Sequence, residues 1–98
     1  MAELGLSDDA YRTYQELERD EARWPVLDVV EDALEAIAAD PGHRSNRQRR
    51  FQDPPCFAVP VTTAEGDWVV LWRQVTLEDV FADLDAGDVY VLYIGRLP

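Results

Sequence analysis

The apolar residues of this chain repeat with a helical period in its first half and with strand-like character in its second. Ala10, Tyr14 and Leu17 recur at i, i+4 and i+7 with Tyr11 beside them, and every other position from Asp8 to Glu21 is charged or polar. This spacing predicts a first helix with a narrow buried stripe. Ser7 suits its N-cap, because a hydroxyl there takes an orphan amide of the first turn while Asp8 and Asp9 complement the positive end of the helix dipole. Pro25 suits the first position of a second helix, where a missing amide costs nothing. Val26, Leu27, Val30, Ala33, Leu34 and Ile37 then form a broad apolar face, with Asp28, Glu31, Asp32 and Glu35 opposite, until Pro41-Gly42 stops the helix. Two helices separated by a few residues around Arg23 and Trp24 make an antiparallel hairpin.

After Pro54-Pro55 the pattern changes. Segments 56–63, 67–75 and 88–94 are rich in Val, Trp, Tyr, Phe and Thr between turn residues, and each predicts a strand. Ala64-Glu65-Gly66 fits a hairpin turn, and the link from Thr76 to Gly87 has room for one helical turn from about Leu77 to Leu84. Pro60 falls within a strand and favours an edge position or a bulge. Glu3 to Leu6 is a short candidate strand at the start. The expected order is β, α, α, a basic stretch, then β, β, β. An amphipathic helical hairpin must bury its apolar face, so the whole of 1–98 is expected to be a single two-layer α+β domain, with the hairpin on one face of a small antiparallel sheet and the other face free.

The 98 residues and 47% apolar content suit one folded domain. Charge changes the picture more. Twenty acids face nine bases, a net charge of −11, and all nine bases are Arg. Wholesale coating of nucleic acid or of an anionic membrane is disfavoured by that balance. The charge is segregated, however: −9 over residues 1–42, +4 over the eight residues HRSNRQRR at 43–50, and −6 over 51–98. No apolar run approaches the roughly 18 residues of a membrane span, and the first residues lack the basic and apolar regions of a signal peptide. A cytoplasmic protein with no membrane association is expected. Cys56 is the single cysteine and His43 the single histidine, too few for a structural zinc site, and no cofactor motif is present, so neither metal nor cofactor is expected.

The layout resembles the RelE/ParE superfamily of bacterial toxins. The pieces that carry the resemblance are LGLSDDAYRTYQEL at the start, LEAIAADP at the end of the second helix, FAVPV and WVVLWRQV in the sheet, and VYVLYIGRLP at the end. The resemblance spans almost the whole chain through degenerate motifs. It implies a toxin of a toxin–antitoxin pair, neutralised by a partner antitoxin. Such a toxin acts either as a ribosome-dependent endoribonuclease on mRNA or, in the ParE branch, by inhibiting DNA gyrase. Carried over residue by residue, it assigns catalytic roles to Arg73, Tyr93 and Arg96 and matches Arg47, Arg49 and Arg50 to the family's basic approach to the sheet; with Arg44 of the same loop these are the candidates for RNA contact. The chain departs from the family in its acidity, in the absence of Lys and in ending two residues after Arg96.

Each of these residues also has a plainer reading. The segment 43–50 is either a phosphate-contacting loop, since guanidinium groups bind phosphate with two hydrogen bonds, or a solvated loop whose exposed ion pairs offset the acidic helices. A further option is that the helices hold the Arg loop until a partner competes for it. Arg73 is either the electrostatic core of an RNA-cleaving site or an Arg paired with an acid such as Asp88. Arg96 is either part of that site or a surface Arg. Strict alternation sets Tyr93 with Val89 and Val91, and Tyr90 with Leu92 and Ile94, which leaves one tyrosine accessible. His43 sits in a loop with nothing in the sequence to orient it, Cys56 fits a small core residue, and Trp68 and Trp72 share a face that suits helix packing. The rival function is a non-catalytic acidic interaction module on the same fold, a degenerate toxin or an accessory subunit.

Overall fold

The computed structural model describes residues 2–52, 55–79 and 84–96. Helix α1 (Asp8–Arg19) begins where the Ser7 hydroxyl accepts the Ala10 N–H at 3.1 Å, with Asp8 and Asp9 in the first turn. Its stripe is as narrow as the spacing predicts, with only Ala10 and Leu17 buried. A short 3-10 turn over Glu21–Arg23, capped by the Asp20 carboxylate, leads into α2 (Trp24–Ala39), where Pro25 lies in the first turn. Val26, Leu27, Val30, Leu34, Ile37 and Ala38 form the buried face of α2.

Among the described residues, five strands follow the order β1-β5-β4-β3-β2, comprising β1 (Leu4–Leu6), β2 (Arg49–Gln52), β3 (Pro55–Thr63), β4 (Gly66–Gln74) and β5 (Val89–Arg96). The two-layer α+β class stands, but the antiparallel sheet expected from the sequence is corrected on two counts. It is mixed, because β1 runs parallel to β5, a pairing that requires a long intervening chain and here has most of the molecule between its two strands. It also has one more strand than the pattern predicted, since the end of the basic stretch pairs with β3, Arg49 opposite Ala58 and Arg50 opposite Phe57. Charged residues are at home on an outermost strand, and for that reason no apolar alternation marks this one. Pro60 lies in β3 beyond the last β2 pair, so its missing amide faces a local edge. The hairpin turn at Ala64–Glu65 forms as expected, with Gly66 at φ +106°.

Val59, Val61, Trp68, Val70, Trp72, Val89, Val91 and Ile94 face the helices and complete the core with Leu17, Val30 and Ile37. Trp68 and Trp72 are thus packing residues. A bulge reorganises β5: Leu71 pairs with Tyr93 but Trp72 pairs with Val91, which leaves Leu92 between them without an opposite number. Strict alternation therefore fails here. Tyr90 stands opposite Arg73 and Tyr93 opposite Leu71, so both tyrosines are on the face away from the helices. The bulged Leu92 carbonyl accepts the Ser7 hydroxyl at 2.8 Å, and Val91 accepts the Ser7 N–H at the same distance, which ties the start of α1 to the last strand.

The outer sheet face is less free than expected. Ala58 is 1% exposed, Val69 4% and Cys56 5%. A side chain at Gly5 would come within 2.8 Å of Leu84, and one at Gly95 would run into the Tyr93 ring. The loop after β4 turns at Leu77–Glu78 and closes with the Gly87 N–H on the Val75 carbonyl; most of the helical turn expected over 77–84 lies outside the described residues. Among the described residues, no helix is long and apolar enough to cross a membrane, and no group of His, Cys, Asp or Glu is placed to hold a metal ion.

Candidate functional site

The basic segment is anchored by its one buried polar residue, Asn46, which is 5% exposed. Its side-chain amide donates to Ala36 O at 3.1 Å and to Asp40 O at 2.9 Å, each of which also accepts a backbone N–H, from Asp40 and His43 respectively. Its own carbonyl accepts the buried Trp72 indole N–H at 2.8 Å. Asn46 therefore joins the end of α2 to the middle of the sheet. Around it, Arg44–Arg47 form a 3-10 turn capped by His43, whose Nδ1 accepts the Ser45 N–H at 3.1 Å. His43 is oriented after all, as a local cap.

Arg47 leaves this turn toward the sheet. Its Nε donates to Pro41 O at 2.7 Å, Nη2 donates to Gln74 at 3.2 Å, and the guanidinium lies 4.6 Å from the centre of the Phe57 ring. Arg50 approaches the same ring from β2, at 5.9 Å. Arg73 comes from the end of β4 and grips Asp79 through two bonds, Nη1 to Oδ2 at 2.9 Å and Nη2 to Oδ1 at 2.8 Å. Thr76 adds its N–H at 2.7 Å and its hydroxyl at 3.1 Å to the same carboxylate. The acid partner expected for Arg73 is thus Asp79, while Asp88 instead accepts the backbone N–H groups of Glu3 and Asp85.

Arg47, Arg50 and Arg73 line a groove of about 390 Å³ whose other walls are Pro55, Cys56, Phe57, Gln74 and Thr76. The Arg73 pair, then the Thr76 amide, holds the Asp79 carboxyl far below the usual carboxylate range. The Arg73 guanidinium is raised in turn, chiefly by its bonds to Asp79. Burial pushes the Cys56 thiol up, which keeps it protonated and unreactive. Three arginines and no carboxylate among its described lining make the groove a place for anions, and the guanidinium geometry favours phosphate or carboxylate oxygens.

The residues singled out in sequence divide between this groove and other places. Arg44 and Arg49 are exposed, with Arg49 opposite Ala58, and neither lines the groove. Tyr93, 38% exposed, donates its hydroxyl to the Arg96 carbonyl at 3.2 Å. Arg96 stands opposite Trp68, at the far end of β4 from Arg73, where it reaches Glu65 at 3.4 Å. Arg73, Tyr93 and Arg96 are not gathered into one cluster, whereas Arg47, Arg50 and Arg73 are. Asn46, Phe57, Asp79 and Glu65 escaped sequence reasoning. Only Asp79 carried a local signal, a Thr three residues before an Asp in a turn.

Comparison with models of known protein families, with curated proteins and with solved structures gave no match.

Proposed function

We propose that this chain is a RelE/ParE-like toxin component of a bacterial toxin–antitoxin pair, neutralised by a partner antitoxin, and that the Arg47–Arg50–Arg73 groove contacts the phosphates of its RNA target. The observation that carries this reading is that three arginines, Arg47, Arg50 and Arg73, line one groove of a protein with a net charge of −11. A helical hairpin on one sheet face, following a short first strand, agrees with the layout that the resemblance implies. In the groove, Arg50 and Arg73 would neutralise phosphate charge and stabilise the extra charge that develops during cleavage. Arg47, held by Pro41 and Gln74, would position the backbone.

A second reading, the non-catalytic interaction module, is favoured by a different observation. Arg73 is taken up by Asp79 and Arg96 by Glu65, and the one histidine is used in a turn. Induced expression in bacteria separates the two. The toxin reading expects growth arrest with loss of mRNA, relieved by Arg73→Ala with Arg50→Ala. Normal growth and normal messages, with the variant indistinguishable from the parent, would sink it, and recovery of a stable protein partner without RNA cleavage would support the module.

A further inference from the structure

A second surface lies at the opposite edge of the sheet from the arginine groove. The Val89 N–H donates to Glu3 O at 2.9 Å and the Ser7 N–H donates to Val91 O at 2.8 Å, so Glu3 and Ser7 direct their backbone groups toward β5. Backbone groups alternate sides along a strand, so Gly5 also faces β5, while Leu4 and Leu6 point theirs the other way. β1 is the outermost strand on that side, and no described residue pairs with its open edge. Two N–H and two C=O groups are therefore available there to another strand.

Alongside this edge runs a hollow of about 300 Å³ with an apolar lining of Leu4, Leu6, Tyr14 and Leu34 and a rim of Glu31 and Glu35. Glu35 is shared with a further shallow hollow along α2, where Asp32 joins the rim. None of Glu31, Asp32 and Glu35 takes part in an ion pair among the described residues. Segment 1–42 carries −9; of its three arginines, Arg12 pairs with Asp9 and Arg23 with Glu65, and among the described residues Glu31 is met only by the Tyr14 hydroxyl, which donates to it at 3.1 Å.

We propose that the β1 edge takes an extended, basic segment of a protein partner as a sixth strand. One apolar side chain of that segment fills the hollow between Leu4, Leu6, Tyr14 and Leu34, and its Lys or Arg residues meet Glu31 and Glu35. The open backbone groups select an extended chain over a helix, since a helix satisfies its own amides and offers the edge nothing. The charge selects a basic occupant and disfavours a second copy of this chain, which would bring a matching set of carboxylates. This surface is distinct from the arginine groove and does not depend on what that groove binds.

The test is fluorescence polarisation of the whole chain with a labelled peptide of about eight residues in which Lys, Val and Lys take successive alternate positions, and so share one face of a strand, with Thr between them. Two further probes change only the peptide: one carries N-methyl groups on alternate amides, so that one edge cannot pair, and one has Glu in place of Lys. Saturable binding of the Val/Lys peptide is expected, at least about tenfold weaker for either altered peptide. Glu31→Gln with Glu35→Gln should weaken binding similarly, while Glu16→Gln with Glu21→Gln should leave it unchanged. No saturable binding, equal binding of the N-methylated peptide, or indifference to Glu31→Gln with Glu35→Gln would each overturn the proposal. The peptide arms need no altered protein, and none of the outcomes involves RNA or growth, so failure here is separate from failure of the toxin reading.

Discussion

Two carboxylates stand at opposite ends of β4, Glu65 just before it and Asp79 shortly after it, and each is gripped by arginine. Glu65 receives Arg23 Nε at 2.7 Å and Nη2 at 2.9 Å, with Arg96 at 3.4 Å. Arg23 comes from the turn between the helices, and Arg96 ends β5, so this carboxylate fastens the β3–β4 hairpin to both the helical layer and the last strand. Asp79 meets one arginine, Arg73, and binds it to the start of its own loop. The chemistry is the same but the surplus is not. At the Glu65 end the cations serve to join elements, whereas at the Asp79 end Arg47 and Arg50 are added beside a pair that is already complete. An internal ion pair is a structural device at one end, and at the other it is part of a site with charge to spare.

The largest effect on this contrast is expected from Asn46→Ala, which removes two hydrogen bonds between the basic segment and the end of α2 and loosens the turn that carries Arg47. Urea unfolding should show a loss of about 2 kcal/mol, on the scale of two hydrogen bonds. Anion binding in the groove should fall with it. Glu65→Gln is expected to cost less, about 1 kcal/mol, since the two guanidinium groups keep a neutral oxygen partner in a half-exposed setting. It should leave anion binding unchanged, and a loss of binding there would break the distinction between the two ends.

Acid should weaken both ends. The folded protein holds Asp79 and Glu65 below the usual carboxylate range, through Arg73 and Arg23 respectively. A carboxyl whose folded pKa is depressed contributes stability that is complete above its unfolded value, near 4, and is lost as pH falls toward the folded value. Unfolding free energy from urea titrations should therefore decline as pH drops below about 5, and Asp79→Asn with Glu65→Gln should flatten that decline. At neutral pH, Asp79→Asn alone should act mainly on binding: with Arg73 released from a competing anion, affinity for inorganic phosphate or a short RNA, measured by calorimetry, should rise several-fold, and an unchanged affinity would place Arg73 outside the binding surface. Arg44→Ala should be the smallest change, within about 0.5 kcal/mol in stability and neutral in binding, because Arg44 is exposed and outside the groove.

Much of the fold was legible because it depends on period and punctuation. Ser7, Pro25, Pro41-Gly42 and Gly66 mark ends that local backbone chemistry sets, and the stripes through Leu17 and Ile37 follow from 3.6 residues per turn. The bulge at Leu92 was not legible, since an extra residue leaves no mark on composition, and it brought Tyr90 and Tyr93 onto one face where alternation separates them. Strand β2 was hidden for a related reason: an outermost strand of Arg-rich sequence has no apolar alternation to display. At the site, Arg47, Arg50 and Arg73 were each visible as candidates, but their grouping apart from Arg96 was not.

By itself the sequence determined the two-layer arrangement, the helix-packing role of Trp68 and Trp72, and the concentration of positive charge at 43–50, because amphipathic periods and charge runs are properties of neighbouring residues. Tertiary structure decided which cations share a groove, which carboxylate each one meets, and that Asn46 holds the basic segment in place. Those outcomes rest on contacts such as Trp72 with Asn46 and Glu65 with Arg23, across 26 and 42 positions of chain. Register and packing bring such residues together, and spacing along the chain carries no record of the meeting.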